Sequence, residues 1–135
     1  MHKDPQKTWD EYYADIRNRR ESETRELWQQ IAAAGVTEDT VLAMDFLHFT
    51  SDPTNAKALA EQLRENYEIK ISPSSSPNYW NIEGTTRPHG ISLTMEDHAG
   101  WVEFMCDVAQ SHGCVFSTWN LEDPRSGQSW SNVDE

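Results

Sequence analysis

Between residues 41 and 121 the spacing of apolar residues switches back and forth between two and three-to-four, and this order of periodicities restricts the fold more than any single motif does. In VLAMDFLHF, residues 41 to 49, both alternating faces are apolar except at Asp45 and His48, as in a strand inside a sheet. Ser51 or Asp52 then offers a cap, Pro53 suits a first helical turn, and Ala56, Leu59, Ala60 and Leu63 mark one face of a helix reaching about Asn66. Tyr67, Ile69 and Ile71 alternate with Glu68, Lys70 and Ser72, a strand with one dry and one wet face, until SPSSSP at 72 to 77 breaks it. A third strand follows at 78 to 83, with Trp80 and Ile82 on one side, and residues 84 to 90 form an irregular stretch before Ile91 and Leu93. Thr94 opens a capping box closed by Asp97, and Trp101, Val102, Met105, Val108 and Ala109 continue a second helix to near Gly113. Residues 114 to 121 form the fourth strand, with Val115, Trp119 and Leu121 on one side and Phe116 on the other.

That order is β-α-β-β-α-β. With right-handed crossovers it folds into a ferredoxin-like, four-stranded antiparallel sheet, α+β in class, with both helices on one face and the other face free. Ahead of it, residues 1 to 35 predict one long helix. Pro5 suits its first turn and Gly35 a left-handed cap, and its apolar ends, Trp9 to Ile16 and Leu27 to Ala34, flank a polar, solvent-bridging middle held by pairs such as Glu21 with Arg25. Whether it covers the free face or projects from it is open. The tail, 122 to 135, is turn-rich, so the whole of 1 to 135 reads as one domain.

Charge then limits what such a domain touches. The chain has 11 Lys and Arg against 23 Asp and Glu, a net −12. The first 35 residues hold six bases and seven acids, so nearly all of the negative field belongs to the remainder. Phosphate backbones are repelled by that field, which excludes direct nucleic-acid binding. No apolar run reaches the roughly 20 residues of a membrane span, so the protein is expected to be soluble and cytoplasmic. Cys106 and Cys114 fit no zinc or redox spacing and are expected to be reduced, packed thiols.

No motif carries chemistry. Phosphate-cradling glycine loops are absent, no HExxH or His-x-His pair joins His48, His89, His98 and His112, and Ser74 to Ser76 have no base at fixed spacing. Glu122 and Asp123 are adjacent and so splay apart instead of sharing a proton. No catalytic residue, metal or cofactor is therefore expected. A small metal-dependent enzyme built from distant His remains the alternative from another class.

What remains is aromatic rings beside acids. Trp80, Trp119 and Trp130 lie near Glu83, Glu122 and Asp123, a pairing that suits Arg and Lys side chains, although Trp80 and Trp119 equally fit a core. Trp130, in GQSWSN, is expected exposed or docked on the domain. Asp45 in mid-strand must be hydrogen-bonded or face water on the open sheet face, which makes that face the candidate contact surface. The expected binding residues are Asp45, Glu83, Glu122 and Asp123, with Trp80 and Trp119 as anchors.

Three stretches, MDFLHFTSDPTNAKALAEQLRENYEIKI (44 to 71), YWNIEGTTR with GISLTMED (79 to 97) and FSTWNLEDP (116 to 124), resemble the ribonuclease E inhibitor family, the regulator of ribonuclease activity B. That family shares this element order and acidity and usually carries Tyr-Asp-Gly-Trp on its last strand, where this chain has Phe116, Ser117, Thr118 and Trp119. Both aromatic positions persist and the Asp-Gly does not, and the chain ends in SGQSWSNVDE where such regulators have a long acidic tail. The resemblance implies a protein inhibitor or binding module more firmly than ribonuclease E as its target. An immunity protein that neutralises a toxin nuclease is the neighbouring alternative, and a homodimer through the free face a further one.

Overall fold

The computed structural model describes residues 5–86 and 90–132, with only the backbone path given for residues 5–7. His89, Asp134 and Glu135 lie outside the described residues. The elements in chain order are α1 (Pro5–Ala33), β1 (Ala43–Thr50), α2 (Pro53–Leu63), β2 (Glu68–Pro73), β3 (Trp80–Thr85), α3 (Met95–Ser111), β4 (Val115–Glu122) and β5 (Ser129–Ser131).

Local signals set most boundaries. The Asp52 carboxylate accepts from the Thr54 N–H ahead of Pro53, so Pro53 sits where a missing N–H costs nothing. Thr94 and Asp97 exchange side-chain and backbone hydrogen bonds in a complete capping box at the start of α3. α1 stops at Gly35 and α3 at Gly113, both with positive φ.

The sheet is antiparallel throughout, in the order β2-β3-β1-β4-β5. Its fifth strand corrects the expectation of four strands and a turn-rich tail. The Asp123 carboxylate accepts from the Arg125 N–H, Gly127 closes the turn at positive φ, and the chain returns along β4 with Trp130 opposite Leu121. Trp130 packs against the main core, so a short polar segment gains strand conformation through one docked ring.

A second correction concerns β4. Leu47 pairs with Thr118 but His48 with Phe116, so Ser117 is the extra residue of a bulge. The bulge turns Phe116 to the side of Trp119 and Leu121 and leaves Val115 on the opposite side, where it packs with Tyr13, Ile16 and Phe49.

α1 does not project, and it covers only one end of the free face, where Tyr13 and Ile16 pack on Val115 and Phe49. It runs beside α3 on the helix-covered side, with Trp28 and Ile31 in the main core. Its middle, expected to bridge solvent, is docked. Arg17 pairs with Asp107 on α3, the Arg20 Nε donates to the Phe116 carbonyl at 3.2 Å, and Thr24 is buried with its hydroxyl on the Arg20 carbonyl. Tyr13, Ile16, Arg20, Thr24, Trp28 and Ile31 thus form one unbroken stripe at helical spacing, polar in its centre. A five-stranded sheet needs this third helix, because two helices leave the β4–β5 side of the core open.

Candidate functional site

Strand alternation sorts each sheet residue to one of two faces. Toward the helices point Met44, Phe46 and His48 of β1, Ile82 of β3 and Phe116, Trp119 and Leu121 of β4, all buried. Cross-strand pairing sets the other face in rows. One row reads Glu68, Thr85, Asp45, Asn120, Ser131 and the next Lys70, Glu83, Leu47, Thr118. Together these rows floor a concavity of about 580 Å³.

Asp45 stands at the centre of the first row and accepts a short hydrogen bond from the Thr85 hydroxyl on the neighbouring strand. Both readings of its mid-strand position therefore hold: the carboxylate is hydrogen-bonded, and it faces the open side. Glu83 is exposed beside Leu47, and Glu122 continues the β4 row past Asn120 opposite Ala43. Among the described residues this face carries the acids Asp45, Glu68, Glu83 and Glu122 and the base Lys70. Adjacent strands are about 4.8 Å apart, so Asp45 stands about one Debye length from each of Glu68, Glu83 and Glu122, and their potentials add in part around it.

The expected site residues divide. Asp45, Glu83 and Glu122 share the open face. Asp123 sits in the β4–β5 turn, where its backbone and carboxylate hold the hairpin together. Trp80 is half-buried on the helix side against the core, and Trp119 is 1% exposed with its ring edge-on to His98 at 4.3 Å. Trp119 is thus a core ring, and Trp80 is partly covered. Bringing Trp119 to the surface would return about 200 Å² of ring area to water, roughly 5 kcal/mol, more than a surface contact repays. Sequence reading missed Thr85, Asn120 and Ser131 as neighbours of Asp45, since their place in the row depends on pairing register. The signal for Glu68 and Lys70 was present as the wet half of an alternating strand.

His48 and His98 are core groups. His48 is fully buried with no hydrogen-bond partner at either ring nitrogen and stands against the rings of Phe46 and Phe116. His98 Nδ1 accepts from the Trp28 indole N–H at 2.7 Å. Burial lowers each imidazole from 6.5 to about 3, so both are neutral at physiological pH. His112, at the end of α3, bonds Gln62 through Nε2 at 2.6 Å. Among the described residues no group of three or more His, Cys, Asp or Glu is placed to hold a metal ion. Cys106 and Cys114 are buried free thiols, pushed up to about 11 chiefly by desolvation.

No helix among the described residues is long and apolar enough to cross a membrane. In comparison with known proteins, no family model matches this chain and no curated sequence matches it.

Proposed function

We propose that this protein is a non-catalytic, acidic binding module that docks its open sheet face on the positive surface of a nucleic-acid enzyme, such as a ribonuclease, and blocks or alters substrate access. The observation that carries this reading is the concave face lined by Asp45, Glu68 and Glu83, with Lys70 the one base among the described residues that line it. An enzyme shaped to hold phosphates offers Arg and Lys at phosphate spacing. Carboxylates on a sheet can occupy those places, with encounter accelerated by the net −12. Supporting it are the strand order β2-β3-β1-β4, consistent in part with a ferredoxin-like βαββαβ arrangement to which α1 and β5 are added, and the resemblance to the ribonuclease E inhibitor family. Such a partner implies a cytoplasmic protein.

The test is affinity capture from lysate at low and high salt, followed by association kinetics with the identified partner over a range of ionic strength. A basic nuclease that elutes with salt, and whose activity falls when the protein is added, supports the reading. One cognate toxin nuclease bound at nanomolar affinity would narrow it to an immunity protein. A partner bound at a rate indifferent to salt sinks it.

A further inference from the structure

Trp119 is a core ring and Trp80 packs partly against the core, but a different set of rings stands exposed at the end of the same sheet face. Trp9 and Tyr12 on α1 are 45% and 39% exposed and stacked on each other at 5.6 Å, and Trp9 meets Tyr13 edge-on at 5.1 Å. Tyr13 is buried, its hydroxyl donating to the Cys114 carbonyl at 2.7 Å, and it packs with Ile16, Val115 and Phe49. Phe49 in turn meets Tyr79, which is 43% exposed, at 6.0 Å. Rings from α1, β1 and the β2–β3 loop therefore form one continuous shelf. Phe49 shares its strand face with Leu47 and Asp45, so the shelf borders the acidic concavity.

Leaving three large rings in water is unfavourable unless something covers them, and Trp and Tyr are the residues that most often dominate protein interfaces. Charge identifies what covers these. Asp10, Glu11 and Asp15 are exposed in the same turns of α1 as Trp9 and Tyr12, and the carboxylates of the sheet face lie on the other side of Phe49. A ligand that satisfies ring faces and carboxylates together is planar and cationic, with an aliphatic stem. Arginine fits this description, whereas the compact, strongly hydrated ammonium of lysine gains little from stacking.

We infer that Trp9, Tyr12 and Tyr79 form the anchoring shelf of the binding face, and that it takes an arginine-bearing segment of a basic protein. Guanidinium groups stack on the exposed rings while neighbouring cations of the segment reach Asp45 and Glu83. This rests on the acidic-face reading and adds to it a preference for arginine over lysine.

The probes are an Arg–Gly repeat peptide and a Lys–Gly peptide of equal length and charge, titrated calorimetrically into the full chain. The Arg peptide binds about three- to tenfold more tightly, as expected of stacking at exposed rings. The triple variant Trp9→Ala/Tyr12→Ala/Tyr79→Ala, all at exposed positions, retains the native circular dichroism spectrum and the salt dependence of binding but binds both peptides equally. The variant Asp45→Asn/Glu83→Gln/Glu68→Gln weakens both peptides alike and keeps the arginine preference. An arginine preference that survives the triple aromatic variant overturns the shelf and leaves the acidic face standing. Insensitivity to the carboxylate variant, or no binding of either peptide, overturns both. Sedimentation of the native protein guards against self-association: a dimer abolished by the aromatic variant would make the shelf a self-interface and overturn the inference.

Discussion

The indole N–H of Trp28 on α1 donates to His98 Nδ1 on α3 across 2.7 Å, the one buried side-chain hydrogen bond among those described that joins the N-terminal helix to the helix beside it. It fixes the tautomer of His98, which must carry its proton on Nε2. The same imidazole stacks on Trp101 and meets Trp119 edge-on, so the contact carries the position of α1 into the core of the sheet.

Trp28→Phe keeps most of the apolar volume and removes the donor. The buried Nδ1 then has no partner, and the expected loss is about 1–3 kcal/mol of unfolding free energy, read as a lower urea midpoint with little change in slope. A variant as stable as the native chain would mean that α1 is held by its apolar stripe alone.

Acid should unfold the protein through its two core histidines. Well above pH 6.5, from roughly pH 7.5 upward, both are neutral in the folded and unfolded states and contribute no pH dependence. As pH falls from 6.5 toward about 3, the unfolded chain takes up protons at His48 and His98 that the native state refuses. Stability therefore drops by about 1.4 kcal/mol per pH unit for each imidazole. Urea midpoints measured across that range should fall steeply, and His48→Leu should reduce the slope by about half.

Gly84 lies opposite Phe46 on the neighbouring strand, and a Cβ at that position would overlap the Phe46 ring. Gly84→Ala is expected to cost about 1–3 kcal/mol through overpacking. Adding Phe46→Leu should recover part of that loss, because the two changes share one space. Additive thermal shifts in the double variant would show that the ring does not occupy that site.

Cys106 and Cys114 should resist alkylation in the native protein near neutral pH, since burial both hides the thiols and holds them well above their ordinary range. Labelling followed by mass spectrometry should show both thiols protected until denaturant is added. Rapid labelling of Cys106 in native conditions would place the α1–α3 contact in doubt.

Removing charge from the open face should slow association with the partner more than it speeds dissociation. Asp45→Asn/Glu83→Gln/Glu122→Gln is expected to lower the association rate constant about tenfold at low salt and much less at high salt, because rim charges act chiefly through steering. An equal effect at both ionic strengths would assign the carboxylates to short-range contacts.

Much of the path was legible because it rests on local chemistry. The Asp52 and Thr94 caps, the left-handed glycines after α1 and α3, and the alternating wet half of β2 are each decided by a few neighbouring residues. Glu83 was legible on the wet side of its strand for the same reason, whereas the direction of Asp45 and the place of Glu122 inside β4 were not. For Trp80 and Trp119 the sequence offered core and anchor side by side, because a strand shows two faces and the sequence does not say which of them the helices cover. Val115 and Phe116 were assigned to the wrong sides since the bulge at Ser117 appears only when β4 is laid against β1.

Sequence by itself determined the order of elements, their class and the sign of the surface, since periodicity, capping and charge are properties of the chain read locally. Tertiary structure alone decided that α1 lies beside α3, that the tail adds a fifth strand and that the exposed rings gather at the end of the acidic face. Each of those depends on contacts between residues far apart in the chain, where shape and register choose among surfaces that the sequence leaves equivalent.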